Sequence, residues 1–337
     1  MFSLSAVEKK WFLVAWIIVL LASLVGVKRA YRVFYDKQDV RSFQLASLYP
    51  VRDLSSDQAV QQYLSRHPVY VALSTTPDRI IHLPRVLAAL DLKNVTKLWV
   101  VIPQKFRQQA AYTIPQELLS HPKVAIMRLQ DDLGPISKSL PVIRYAQQHD
   151  PRALIITIDD DYFYPKGVVN EHIYALVHNS KIVSSAVIAS LGGAKTRAPV
   201  HYYVRANAML KYKQDVLRWL VQGVGSVGFV AGDIDLKRLN AVVDYVVGHK
   251  DNACFFADDV VMSYILKGSG VSPRLLFTQY LRHAWLKPFW ENQVADAISN
   301  MGLYRDIGSY FRHSTDNNAR RIERCLAILQ GFEQTYD

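Results

Sequence analysis

The sequence predicts an α/β domain, a mostly parallel sheet flanked by helices, behind an N-terminal transmembrane helix. Three observations carry this. Short apolar runs alternate with segments of helical spacing between about residues 69 and 267, the pattern of successive βα units. One run, Ala153–Ile158 (ALIITI), is apolar apart from a single threonine, as suits a central parallel strand buried on both faces. Trp11–Val27 (WFLVAWIIVLLASLVGV) is seventeen residues without a charge, a helix of roughly 25 Å, just enough for a thinner bilayer.

Composition narrows the class. The 337 residues are 50% hydrophobic and 20% charged, which excludes a disordered chain or a coiled coil as the dominant state. Gly 15 and Pro 14 exclude collagen-like and low-complexity chains. Two cysteines, Cys254 and Cys325, exclude a disulfide scaffold and a four-cysteine zinc site, and they leave the redox compartment open. A formal charge of +11 points to anionic partners: nucleotide, phospholipid, acidic glycan or nucleic acid.

From the N-terminus, Lys9 and Lys10 precede the apolar run and Lys28, Arg29 and Arg32 follow it, with Trp11 and Trp16 toward one end. The run is longer than the h-region of a cleaved signal peptide, and no A-x-A site precedes Lys28. Residues 1–30 therefore read as an uncleaved anchor. The slight excess of positive charge after the span favours a cytoplasmic C-terminal domain. Residues 31–65 are mixed and polar and read as a stem, residues 66–290 as the α/β domain, and residues 291–337 as a partly helical tail with Arg320, Arg321 and Arg324.

Within the domain, strands are predicted over Val69–Leu73, Lys97–Ile102, Val124–Leu129, Ala153–Ile158, Lys181–Ser190 and Ser226–Ala231. Helices are predicted over Leu83–Leu92, Ser137–His149 and Phe256–Lys267. In such sheets ligands bind beyond the carboxyl ends of the strands, so chemistry belongs just after each apolar run.

Acidic residues gather there. Asp131-Asp132, Asp159-Asp160-Asp161 and Asp258-Asp259 supply seven of the 29 acids. Three adjacent carboxylates repel unless a cation neutralises them, and Mg²⁺ or Mn²⁺ suits oxygen ligands. The alternative is a solvated acidic turn. Asp258-Asp259 opens a helical segment, where acids also serve the helix dipole, yet one of them is placed to act as a general base. In Asp131–Lys138 (DDLGPISK), Gly134-Pro135 makes a tight turn and Lys138 is placed to meet a phosphate or an acidic partner. Ser74–Arg79 (STTPDR) offers hydroxyls and a guanidinium at the end of the first strand.

In this order and spacing, STTPDRI, DDLGPISKSLP, ITIDDDYFYP, GVGSVGFVAG and CFFADDVVMSYILKGSGV resemble the glycosyltransferases of the GT-A fold, the nucleotide-diphospho-sugar transferase superfamily, over about residues 68–275. The resemblance implies a family-2-like, membrane-anchored, metal-dependent enzyme. It would move a sugar from a nucleotide-diphosphate donor, such as a UDP-sugar, to a glycan or lipid-linked acceptor. It implies that Thr75 and Arg79 belong to the nucleotide-binding loop and that Asp132 and Lys138 line the nucleotide and diphosphate. Asp159, Asp160 and Asp161 would form the DxD-type motif, with Asp161 and Asp159 on Mn²⁺ or Mg²⁺ and Asp159 nearer the ribose. Gly223–Gly228 would be the acceptor-side loop. Asp259, or failing that Asp258, would be the base of an inverting transfer. Many relatives carry Glu-Asp where this chain has Asp258-Asp259, which leaves the identity of the base open. His283 and His313 are the candidates for a further metal ligand.

Two other readings stand beside this one. Haloacid-dehalogenase-like phosphatases also place aspartates after a strand, but near the start of their domain and followed by Thr or Val, whereas Tyr162-Phe163 follow here. A non-catalytic tether binding acidic polymer would not need the carboxylate clusters. No RNP-like stretch or helix-turn-helix signal supports nucleic-acid binding. Asn94-Val95-Thr96 forms a glycosylation sequon, meaningful only for a lumenal domain.

Overall fold

The computed structural model describes residues 51–106, 111–160, 164–185, 188–190, 217, 219–221, 226–276 and 315–336. The Trp11–Val27 run, Asp161, Gly223, Gly225, His283 and His313 lie outside them. Among the described residues no helix is long and apolar enough to cross a membrane.

The strands are β1 (Val69–Ser74), β2 (Lys97–Pro103), β3 (Val124–Leu129), β4 (Leu154–Thr157), β5 (Ile182–Ser185), β6 (Ile188–Ser190), β7 (Trp219–Val221), β8 (Val227–Val230) and β9 (Ser272–Leu275). The helices are α1 (Gln58–Leu64), α2 (Leu83–Ala88), α3 (Gln116–Ser120), α4 (Leu140–His149), α5 (Val168–Val177), α6 (Leu236–Gly248), α7 (Asp258–Gly268) and α8 (Thr315–Tyr336).

Seven strands form one sheet in the order β3-β2-β1-β4-β8-β5-β9, and β6 pairs with β7 as a separate antiparallel ribbon. The pairings β3–β2, β2–β1, β1–β4 and β5–β9 are parallel. β8 runs antiparallel to both β4 and β5, so the sheet is mostly parallel with one reversed strand. The strand expected over 181–190 divides into β5 and β6.

Alternation along the strands builds the core. In β1, Val69, Val71 and Leu73 join one buried layer while Tyr70 and Ala72 join the other. In β2, Leu98, Val100 and Ile102 face the first layer and Trp99 and Val101 the second. Such runs are apolar throughout because both faces are covered. The first layer takes Val60 of α1, Leu83 and Leu87 of α2, Leu118 of α3 and Ile173 of α5. The second takes Ile143 of α4, Leu239 and Val243 of α6, Ile265 of α7 and Leu326 of α8. Asp57 caps α1 through the Val60 amide and Asp235 caps α6 through the Arg238 amide.

The packed unit reaches beyond residues 66–290 in both directions. Leu54 and Val60 are buried in the first layer, and Arg52 makes a bidentate ion pair with Glu171 of α5. The end of the expected stem therefore packs on the domain. The expected tail does so too: Ile322, Cys325, Leu326, Leu329 and Phe332 of α8 are buried in the second layer, at the spacing of one helix face. Cys325 is disulfide-bonded to Cys254, in the turn that precedes α7. In the sequon, the Asn94 amide donates to Asn170 Oδ1, and the Thr96 hydroxyl accepts from the Val69 amide, so both side chains are engaged in holding the fold.

Candidate active site

β1 and β4 are parallel neighbours, so the loops leaving their carboxyl ends emerge side by side. Thr75 follows β1, and Asp159 and Asp160 follow β4 by way of Ile158, whose amide extends the ladder to the Ala72 carbonyl. Asp160 is buried at 4% exposure, with its carboxylate between the Thr75 hydroxyl at 2.6 Å and the Arg79 guanidinium at 3.1 Å. A buried carboxylate requires such compensation. Arg79 thus neutralises Asp160, and the Thr75 hydroxyl donates a hydrogen bond to it. The loop is itself held, because the Tyr112 hydroxyl donates to the Thr75 carbonyl and the Thr76 hydroxyl donates to Asp78.

The second approach comes from the turn Gly134–Lys138. Asp132 accepts the Gly134 amide at 2.9 Å, an Asx turn that shapes this loop. Gly134 has φ +71°, and a Cβ there would lie 2.7 Å from the Phe255 carbonyl, so glycine is needed for conformation and for space. This close approach sets the turn against Cys254–Phe256, directly ahead of α7. Lys138, at the end of the turn, is buried. Its ammonium lies 2.7 Å from Asp159 Oδ1 and 2.9 Å from Asp258 Oδ2. Burial alone would lower the Lys138 pKa, but the charges of Asp159, Asp258 and Asp259 outweigh it and hold the ammonium well above the ordinary lysine value.

The third element is α7. Asp258 and Asp259 stand in its first turn without a side-chain cap, where the helix dipole favours carboxylates. Asp258 pairs with Lys138, and Asp259 adds its field to the same cation.

One edge of the sheet therefore joins Thr75, Arg79 and Asp160 in one cluster and Lys138, Asp159 and Asp258 in the next, with Asp259 alongside. Asp132 shapes the turn, and Asp161 lies outside the described residues. Sequence reasoning missed the support of Asp159: its backbone amide donates to the hydroxyl of buried Tyr164 at 2.8 Å. The YFYP segment after the aspartates was the available signal. It also missed His172, treated below, for which an apolar helix gave no signal.

No family model and no curated protein matches the chain. Among solved structures it is similar to a 4-diphosphocytidyl-2C-methyl-D-erythritol synthase, at 11% identity over 68% of this chain and 97% of that one, with a TM-score of 0.38. It is also similar to 2-C-methyl-D-erythritol 4-phosphate cytidylyltransferase from Francisella tularensis, at 10% identity over 62% and 89%, with a TM-score of 0.34. Likeness at that level defines neither a family nor an activity.

Proposed function

We propose that the chain is a metal-dependent glycosyltransferase that moves a sugar from a nucleotide-diphosphate donor, such as a UDP-sugar, to a hydroxyl of a glycan or lipid-linked acceptor. The observation that carries this reading is the Lys138 ammonium between Asp159 and Asp258. It draws a strand-end carboxylate and a helix-start carboxylate onto one cation at the sheet edge where ligands bind.

The reaction needs positive charge against a departing diphosphate and a carboxylate to take the acceptor's proton. Lys138 and Arg79 offer the first. Asp259, or failing that Asp258, offers the second. As the acceptor oxygen bonds to the anomeric carbon, the aspartate takes its proton. The bond from that carbon to the diphosphate oxygen breaks, and its electron pair leaves with the nucleotide. The buried Ser137 hydroxyl has no hydrogen-bond partner among the described residues, a capacity in the Lys138 turn that a polar ligand would use.

For the metal, the reading is supported by one partly exposed strand-end carboxylate. Asp159 retains 27% side-chain exposure beside a buried lysine, and Mg²⁺ or Mn²⁺ takes one or two carboxylates, completing its shell with water and phosphate oxygens. Among the described residues no group of three His, Cys, Asp or Glu could hold an ion, so the fit is to this open mode. Asp159 and Asp161 would hold the ion, which when bound neutralises charge on the leaving diphosphate.

The test is a panel of nucleotide sugars offered to the full-length chain in detergent. Nucleoside diphosphate should be released only with Mn²⁺ or Mg²⁺, and Asp159→Asn or Asp161→Ala should lower release at least about 100-fold. Absence of release from every donor would end this reading. As to location, the Cys254–Cys325 disulfide supports a domain facing an oxidising compartment, the side opposite to the one favoured by the charges flanking Trp11–Val27.

A further inference from the structure

Two serines bracket an imidazole under the carboxyl edge of the sheet. His172 of α5 is fully buried. Its Nδ1 lies 2.7 Å from Ser184 Oγ and its Nε2 lies 2.7 Å from Ser226 Oγ. The Ser184 hydroxyl also donates to the Gly228 carbonyl at 3.2 Å. A hydroxyl has one hydrogen, so Ser184 must accept from Nδ1–H. Burial lowers the pKa of His172 to about 3, so the ring is neutral and Nε2 accepts from the Ser226 hydroxyl. The proton order therefore runs from Ser226 to His172, to Ser184, to the Gly228 carbonyl.

The surroundings are built to admit this ring. A Cβ at position 228 would lie 2.5 Å from His172 Nδ1, so only glycine leaves the imidazole its place. At the far end of the relay, Ser226 has φ +63°, a left-handed conformation that a residue with a Cβ holds only under constraint. The next residue, Val227, pairs with Thr157 and accepts its hydroxyl at 3.3 Å. Thr157 stands two residues before Asp159.

We propose that His172 is a positioning residue: through Ser226 it holds the entry of β8 in its left-handed turn against the end of β4, and so fixes where Asp159 and Asp160 stand relative to Lys138 and Arg79. Only the functional consequence of this placement rests on the nucleotide-sugar reading; the placement itself does not.

The experiment uses the full chain and two readouts. The first is hydrogen exchange in the peptide containing the Asp159 amide, with a β2 peptide as the internal control. The second is kcat and KM for the donor. Ser226→Ala removes the hydroxyl and keeps the strain, whereas Ser226→Gly takes φ +63° unaided. Ser226→Ala and His172→Leu should speed exchange at Asp159 at least tenfold without changing the β2 peptide, and should lower kcat/KM at least tenfold. Ser226→Gly should stay within about threefold of the natural chain and should restore the His172→Leu variant. If His172→Leu does not fold, the Ala and Gly variants at Ser226 decide alone. Equal behaviour of those two variants, or faster exchange spread evenly over both peptides, would overturn the proposal. If no donor is turned over, the exchange result still decides it, so its failure is distinct from failure of the enzymatic reading.

Discussion

Lys138 is buried and bonded to Asp159 and Asp258, so removing it leaves two half-buried carboxylates without their cation. Breaking one side of a buried ion pair costs about 3–5 kcal/mol. Lys138→Met should lose up to that much stability in urea unfolding, less whatever water recovers at the two aspartates, and donor turnover should fall at least about 100-fold. A raised lysine pKa stabilises fully below the unfolded value near 10.5 and is lost as pH climbs through the folded one, so Lys138 leaves stability between pH 6 and 9 unchanged. His172 acts at the other end of the scale. Its folded pKa of about 3 lies below the ordinary 6.5, so the unfolded chain binds the extra proton in between, and stability falls as pH falls from 6.5 toward 3. The full shift is worth at most ~5 kcal/mol. Urea midpoints across that range should show a steep acid limb, flattened in His172→Leu. Lys138, Asp159 and Asp258 were each legible as candidates, because acids and lysines at strand ends are conspicuous. Their mutual pairing was not, since it depends on how distant loops meet. His172 was illegible for a different reason: its partners are two serines, and serines are everywhere.

At the level of single elements, the limits of most strands in the large sheet were read closely. Val124–Leu129 was expected and is observed over the same residues, and the limits of β1, β2, β4 and β8 differ from expectation by a residue or so. The direction of β8 was not readable, because Val227–Val230 presents the same apolar alternation whichever way it runs. The turn at Gly134 is an element whose importance a substitution can weigh. Gly134→Ala meets both the left-handed φ and the Phe255 carbonyl. The conformation alone costs ~1–2 kcal/mol, so thermal unfolding should show at least that loss. Donor KM should rise with it, because the turn carries Lys138.

For the molecule as a whole, the unexpected feature is how far the packed unit extends. Polar composition made residues 31–65 and 291–337 look peripheral, yet Leu54, Val60 and the buried face of α8 belong to the two core layers. Composition averages over a helix, whereas burial selects one face of it. The Cys254–Cys325 bond closes a separation of 71 residues, which the chain-entropy model values at about 4 kcal/mol. Reduction by dithiothreitol should lower stability by roughly that amount without abolishing the fold. In intact cells quenched with acid, both cysteines should resist maleimide until a reductant is added. Labelling of both without reductant would place the domain in a reducing compartment.

The same bond bears on the order in which the molecule is completed. Cys325 lies in α8, which leaves the ribosome after every described strand, while its partner sits four residues ahead of Asp258. The sheet can assemble during translation, but the turn that presents Asp258 to Lys138 is fastened only when α8 docks and the Cys254–Cys325 bond forms. A nascent chain stopped short of α8 should therefore carry a formed sheet and an unlatched active edge.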